Sequence, residues 1–144
     1  MTSSTNKKIP VLVAGALGKM GSQVVKAVCE SPDCELVAAI DNSPQKEGLD
    51  IGIELGLGEL NIAVTSDFEG SLCSISQSFR DAGPSGGAVL VDFTHPEAVY
   101  EHTRASIAYG LNPVIGTTGI TPLQLKELAD FANKASVGTA VIPN

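Results

Sequence analysis

Apolar residues in this chain fall into short dense runs, separated by segments whose apolar positions recur at helical spacing. Ile9 to Ala14 is a continuous apolar run ending at Gly15, the pattern of a strand buried on both faces of a parallel sheet. Val24, Val25, Ala27 and Val28 then predict a helix over 21–30, ended by Ser31-Pro32-Asp33. Glu35 to Ile40 repeats the strand pattern and closes at Asp41. Residues 42–58 read as a loop with a short helix near Ile51 to Leu55. Ile62 to Val64 reads as a short strand, Phe68 to Arg80 as a helix, and Asp81 to Gly87 as a glycine-rich loop. Ala88 to Phe93 is the next buried strand. His95-Pro96-Glu97 opens a helix to about Tyr109, with Pro96 in the first turn and Gly110 as its stop. Asn112 to Ile115 is a strand, Thr121-Pro122 opens a last helix through Leu123, Leu125, Leu128, Ala129 and Ala132, and Ala140 to Ile142 begins a final strand.

Strand and helix alternate throughout, which predicts an α/β fold with a doubly wound parallel sheet of Rossmann type. The 144 residues fit one domain. Residues 1–8 are polar and read as a disordered leader without a signal peptide's apolar centre, and residues 9–144 as the folded domain.

Composition narrows the function. The formal charge of −7 and the 4% aromatic content argue against a nucleic-acid surface, which needs clustered Lys and Arg and stacking rings. A small anionic ligand remains compatible, because backbone amides can hold it. No apolar run approaches the roughly 18 residues of a membrane span, and a cytoplasmic protein is expected. Cys29, Cys34 and Cys73 form no CxxC pair and read as reduced structural thiols; with His95 and His102 as the only histidines, no metal site is expected.

In such a sheet ligands bind beyond the carboxyl ends of the strands, and four strand ends carry unusual chemistry. The first is Gly15-Ala16-Leu17-Gly18-Lys19-Met20-Gly21. Gly15 permits a tight turn, Gly18 lets backbone approach a pyrophosphate, and Gly21 lets the helix pack on the strand. The spacing is GxxGxxG and not GxGxxG, so alone it also fits a tight turn without ligand. Asp41 lies twenty residues past Gly21, where a carboxylate can accept hydrogen bonds from the adenosine ribose. It repels a 2′-phosphate and so favours NADH over NADPH, with Lys46 the basic residue within reach. The plain alternative is a solvated strand-end Asp. The third end is Asp92-Phe93-Thr94-His95, where Thr94 can meet the nicotinamide-side ribose and His95 reads as a surface or phosphate contact more than a general acid. The fourth is Gly116-Thr117-Thr118-Gly119, whose small residues let backbone contact a nicotinamide. These four ends contain no nucleophile with its base and no set of proton donors. They argue for cofactor binding and name no catalytic residue.

Val-Ala-Gly-Ala-Leu-Gly-Lys-Met-Gly, Val-Asp-Phe-Thr-His-Pro-Glu, Val-Ile-Gly-Thr-Thr-Gly and the closing Ile-Pro-Asn together resemble the 4-hydroxy-tetrahydrodipicolinate reductase (dihydrodipicolinate reductase) family of lysine biosynthesis, over Ile9 to Asn144. The resemblance implies an NADH- or NADPH-dependent oxidoreductase that reduces 4-hydroxy-tetrahydrodipicolinate to tetrahydrodipicolinate. It places Gly15, Ala16, Leu17, Gly18, Lys19 and Met20 around the pyrophosphate and Asp41 on the ribose. Phe93 and Thr94 would flank the cofactor, and Gly116, Thr117 and Thr118 would line its nicotinamide end. Ile142, Pro143 and Asn144 fall where the family chain meets cofactor and turns through a hinge. Many members carry Arg where Asn42 and His95 stand, so the resemblance implies neither a strong NADPH preference nor the family's Arg contact at position 95. The family's substrate domain, with its His-His pair, Lys general acid and Gly-Thr loop, has no counterpart in these residues. The expected molecule is therefore an N-terminal cofactor-binding half, truncated before the substrate domain and inactive alone. It is expected to be monomeric or only weakly associated, where the resemblance implies a homotetramer for the full family protein. A stand-alone module binding NAD or CoA is the alternative, and Asp41, which a CoA site does not need, weighs against CoA. A third reading is a folded remnant that binds nothing.

Overall fold

The computed structural model describes residues 8–78 and 87–142. The leader at 1–7, the end of the third predicted helix, most of the loop at 81–87, Pro143 and Asn144 lie outside the described residues.

Six parallel strands form one sheet: β1 (Ile9–Ala14), β2 (Cys34–Ile40), β3 (Val64–Thr65), β4 (Val89–Asp92), β5 (Asn112–Ile115) and β6 (Ala140–Val141). Their spatial order is β3-β2-β1-β4-β5-β6, so the chain winds outward from β1 in one direction and returns to add β4 on its other side. That reversal places a crevice between the carboxyl ends of β1 and β4. The helices are α1 (Lys19–Glu30), α2 (Ile51–Glu54), α3 (Phe68–Ser78), α4 (Val99–Ala108) and α5 (Pro122–Ala135).

The apolar run of β1 is explained by what lies on its two faces. Val11 and Val13 belong to a core with Val25 and Val28 of α1, while Leu12 and Ala14 belong to a second core with Leu72 of α3 and Leu90 of β4. A central strand covered on both faces cannot alternate apolar with polar residues. Each fully buried Leu or Val contributes about 1.5–3 kcal/mol by leaving water, so β1 anchors the sheet from both sides. On the outer flank α5 begins with a capping box: Thr121 accepts from the Gln124 N–H and the Gln124 side chain accepts from the Thr121 N–H.

Three expectations need correction. The helix expected from His95 starts only at Val99, and His95 to Ala98 is a turn closed by the Ala98 N–H on the His95 carbonyl at 2.9 Å. Pro96 therefore stands second in a four-residue turn, where its fixed φ is also favoured, and not inside the helix. The third strand is Val64–Thr65, because the Ile62 N–H is taken by the Asp50 carboxylate at 2.9 Å. Helix α1 starts at Lys19, two residues earlier than the apolar spacing suggests.

Candidate functional site

The glycine turn after β1, Asp41 after β2 and Phe93-Thr94 after β4 meet at one cleft of about 600 Å³. Each is there for a local reason. Gly15 has φ +84, and a Cβ on it would stand 2.8 Å from the Phe93 carbonyl oxygen. Gly21 lies so close to the first turn that a Cβ would overlap the Gly15 carbonyl. These two glycines are needed by the fold. Gly18 differs: a Cβ would meet only the Gly15 oxygen, at 3.3 Å, and the residue lines the cleft. Its missing side chain leaves room for a ligand.

The amides of the turn divide into two groups. Those of Gly15 and Ala16 donate to the Ile40 carbonyl, at 2.8 and 3.1 Å, and that of Gly18 to the Gly15 carbonyl at 3.0 Å. The Leu17 N–H donates to Asp41 Oδ2 at 2.8 Å. The N–H groups of Lys19, Met20 and Gly21, at the start of α1, have no partner among the described residues. Unpaired amides of this kind, backed by the helix dipole, form an anion site.

Asp41 thus braces the turn with one oxygen, while Oδ1 has no protein partner among the described residues. Lys46 does not offset its charge at close range, because its ammonium pairs with Glu54 at 2.5 Å. No Lys or Arg is among the described residues that line the cleft.

The far wall of the cleft holds a group that sequence reasoning missed. Asp92, fully buried at the end of β4, accepts at Oδ1 from the Thr94 N–H at 2.9 Å and the Thr94 hydroxyl at 2.5 Å. Its Oδ2 lies 3.1 Å from His102 Nδ1. The His102 ring stacks on Phe68, with centroids 3.9 Å apart and planes at 18°. Both rings line the cleft. The sequence signal was an Asp at a strand end and a His within the first turns of the following helix, which only the fold could bring together. His95 also lines the cleft, but its Nδ1 accepts from the Glu97 N–H at 3.3 Å and serves the local turn.

Ala16, Leu17, Lys19 and Met20 belong to the glycine turn and the start of α1 without lining this cleft. Gly116, Thr117, Thr118 and Ile142 follow β5 and β6, also outside its lining, and Pro143 and Asn144 lie outside the described residues. Gly116 packs under Phe93, whose ring a Cβ would overlap, and its N–H donates to the Asp92 carbonyl at 3.0 Å. Thr117 and Thr118 follow in the open loop after β5. Ile142 is exposed, with its N–H on the Ile115 carbonyl at 2.8 Å. Among the described residues no three His, Cys, Asp or Glu side chains gather as a metal site, the three cysteines are unpaired, and no helix is long and apolar enough to cross a membrane.

A family model described as dihydrodipicolinate reductase, N-terminus, matches residues 9–144. The chain belongs to this family. Within the dihydrodipicolinate reductase family, the 4-hydroxy-tetrahydrodipicolinate reductase of Synechococcus sp. (strain CC9605) is 69% identical over 136 residues, 94% of this chain and 48% of that protein. The reductase of the same name from Nostoc sp. (strain PCC 7120) is 51% identical over 137 residues, again 94% of this chain and 48% of that protein. The chain spans about half the length of the curated relatives it matches. Among solved structures, the dipicolinate-bound dihydrodipicolinate reductase of Paenisporosarcina sp. TG-14 superposes with a TM-score of 0.71 at 28% identity, covering 95% of this chain and 48% of that one. The WlbA dehydrogenase of Thermus thermophilus, in complex with NAD and alpha-ketoglutarate, gives a TM-score of 0.72 at 16% identity over 93% of this chain and 41% of its own, a likeness of fold.

Proposed function

We propose that this chain is the dinucleotide-binding part of an NAD(P)H-dependent reductase that converts 4-hydroxy-tetrahydrodipicolinate to tetrahydrodipicolinate, in lysine and diaminopimelate biosynthesis. The observation that carries this reading is the meeting, at one cleft, of three features. They are Gly18, directly before the free amides that open α1, then Asp41 with its free oxygen, and a wall of Phe93 and Thr94. The Lys19 and Met20 amides hold the pyrophosphate, and Gly18 lets it approach. Asp41 Oδ1 accepts from the ribose. Phe93 and Thr94 orient the nicotinamide half toward Gly116 to Thr118. The bound nicotinamide supplies the hydride; these residues bind and orient it, and no proton donor is assigned among them.

Support comes from the family membership and from the NAD complex of a protein with the same fold. Calorimetric titration with NADH, NADPH and CoA tests the reading. NADH binds, CoA binds weakly or not at all, and Asp41→Ala weakens NADH binding by about tenfold or more, the worth of one hydrogen bond to a charged group. Tightest binding to CoA with no effect of the substitution would overturn it.

A further inference from the structure

We propose that Asp92 is a positioning residue for dinucleotide binding, which acts by holding Thr94 in place and fixing His102 as the Nδ1–H tautomer. This rests on the cleft being the dinucleotide site.

The geometry is over-determined in a way that packing alone does not require. Asp92 has no exposed surface, and its side chain turns both oxygens toward the cleft wall. Two donors from Thr94 occupy Oδ1. A carboxylate offers only acceptors, so the contact with Oδ2 requires the proton to sit on His102 Nδ1. The Thr94 hydroxyl hydrogen points to Asp92, which leaves its oxygen as a second acceptor for the same Nδ1–H at 3.2 Å. An imidazole with its proton on Nδ1 carries a lone pair on Nε2. That nitrogen has no partner among the described residues, and the ring belongs to the cleft wall. Phe68 covers one face of the ring and prevents it from swinging away. In the neutral ring the cleft therefore presents a fixed acceptor, matched to a hydrogen-bond donor on the ligand.

The Thr94 N–H and hydroxyl would still find an acceptor in Asp92→Asn. The demand for a proton on Nδ1 would not survive, so the ring is free to take the Nε2–H form and becomes a donor where an acceptor is needed. His102→Asn does the reverse: its amide nitrogen overlies Nδ1 and keeps Asp92 satisfied, while Nε2 is lost.

The test is nitrogen-15 NMR of the histidine rings at a pH where they are neutral, alongside NADH titration and thermal melts. In the wild-type chain His102 should show a protonated Nδ1 and a bare Nε2. Asp92→Asn should move the proton to Nε2, and both substitutions should weaken NADH binding by about tenfold, the cost of one hydrogen bond. His102→Asn should melt close to the wild type, so the measurement stands if Asp92→Asn fails to fold. A wild-type chain that binds NADH but carries its His102 proton on Nε2 overturns the role of Asp92 and leaves the dinucleotide reading intact. So does His102→Asn with unchanged affinity. A wild-type chain that does not bind NADH overturns both.

Discussion

Gly18 and Gly21 stand three residues apart in one turn, yet the fold needs only one of them to be glycine. A methyl group on Gly21 would overlap the Gly15 carbonyl, and backbone on both sides leaves nothing to give way. Gly21→Ala should therefore lose about 1–3 kcal/mol, the range for forcing volume into a packed site, read as a lower melting temperature. Gly18→Ala meets one oxygen at 3.3 Å and keeps an extended backbone, with φ −73 and ψ 171, that any residue adopts. Its melting temperature should stay near that of the wild type. NADH binding should weaken by about tenfold, close to 1.4 kcal/mol. Equal effects of the two substitutions on stability would remove the argument that Gly18 is small for a ligand's sake.

The elements show why some of this was legible in the sequence and some was not. β1 and α5 follow from an apolar run and a capping pair, because burial on two faces and a Thr-Pro start leave a local mark. The start of α4 did not, since the Asp92 carboxylate takes the Thr94 N–H and a turn replaces the expected first helical turn. β3 moved for a similar reason. Asp50 caps α2 through the Ile53 N–H at 3.1 Å and also accepts from Leu60 at 3.0 Å and Ile62 at 2.9 Å, tying ten residues of chain to one carboxylate. Long-range use of a polar side chain leaves no periodicity to read. The Leu60 N–H is the chief cause that holds the Asp50 carboxyl below its ordinary value, with Ile62, Ile53 and Gly52 adding to it against some desolvation. A depressed folded-state pKa contributes stability above the unfolded-state value and loses it as pH falls through the folded one. Asp50→Ala should therefore melt below the wild type at pH 7. The gap should close in strong acid, below the ordinary carboxylate value of 3.8. A gap that stays constant down to that range would mean the side chain acts by packing, not by charge.

For the molecule as a whole, charge and topology act on the same ligand in opposite senses. The strand reversal between β1 and β4 opens a cleft beside the free amides of α1, the anion site of the proposed reading, while the chain carries a formal charge of −7 and lines that cleft with Asp41 and no described Lys or Arg. A pyrophosphate held by amides tolerates this, because its contacts are short and directed. A 2′-phosphate beside Asp41 does not. Two like charges about 4 Å apart repel by ~1 kcal/mol in water and ~4 kcal/mol in a partly shielded site, so NADH should bind at least about fivefold more tightly than NADPH at low salt. Screening with a Debye length of about 8 Å at physiological ionic strength weakens that repulsion. The ratio should therefore fall as salt is raised, and fall again in Asp41→Asn, which keeps an acceptor for Leu17 but removes the charge. Lys46 cannot reverse the preference while it is paired with Glu54, so Glu54→Gln, which loosens that pair, should shift the ratio toward NADPH. Titrations of both cofactors at two salt concentrations decide the matter. NADPH binding as tightly as NADH at low salt would show that the field at the second strand end is not set by Asp41.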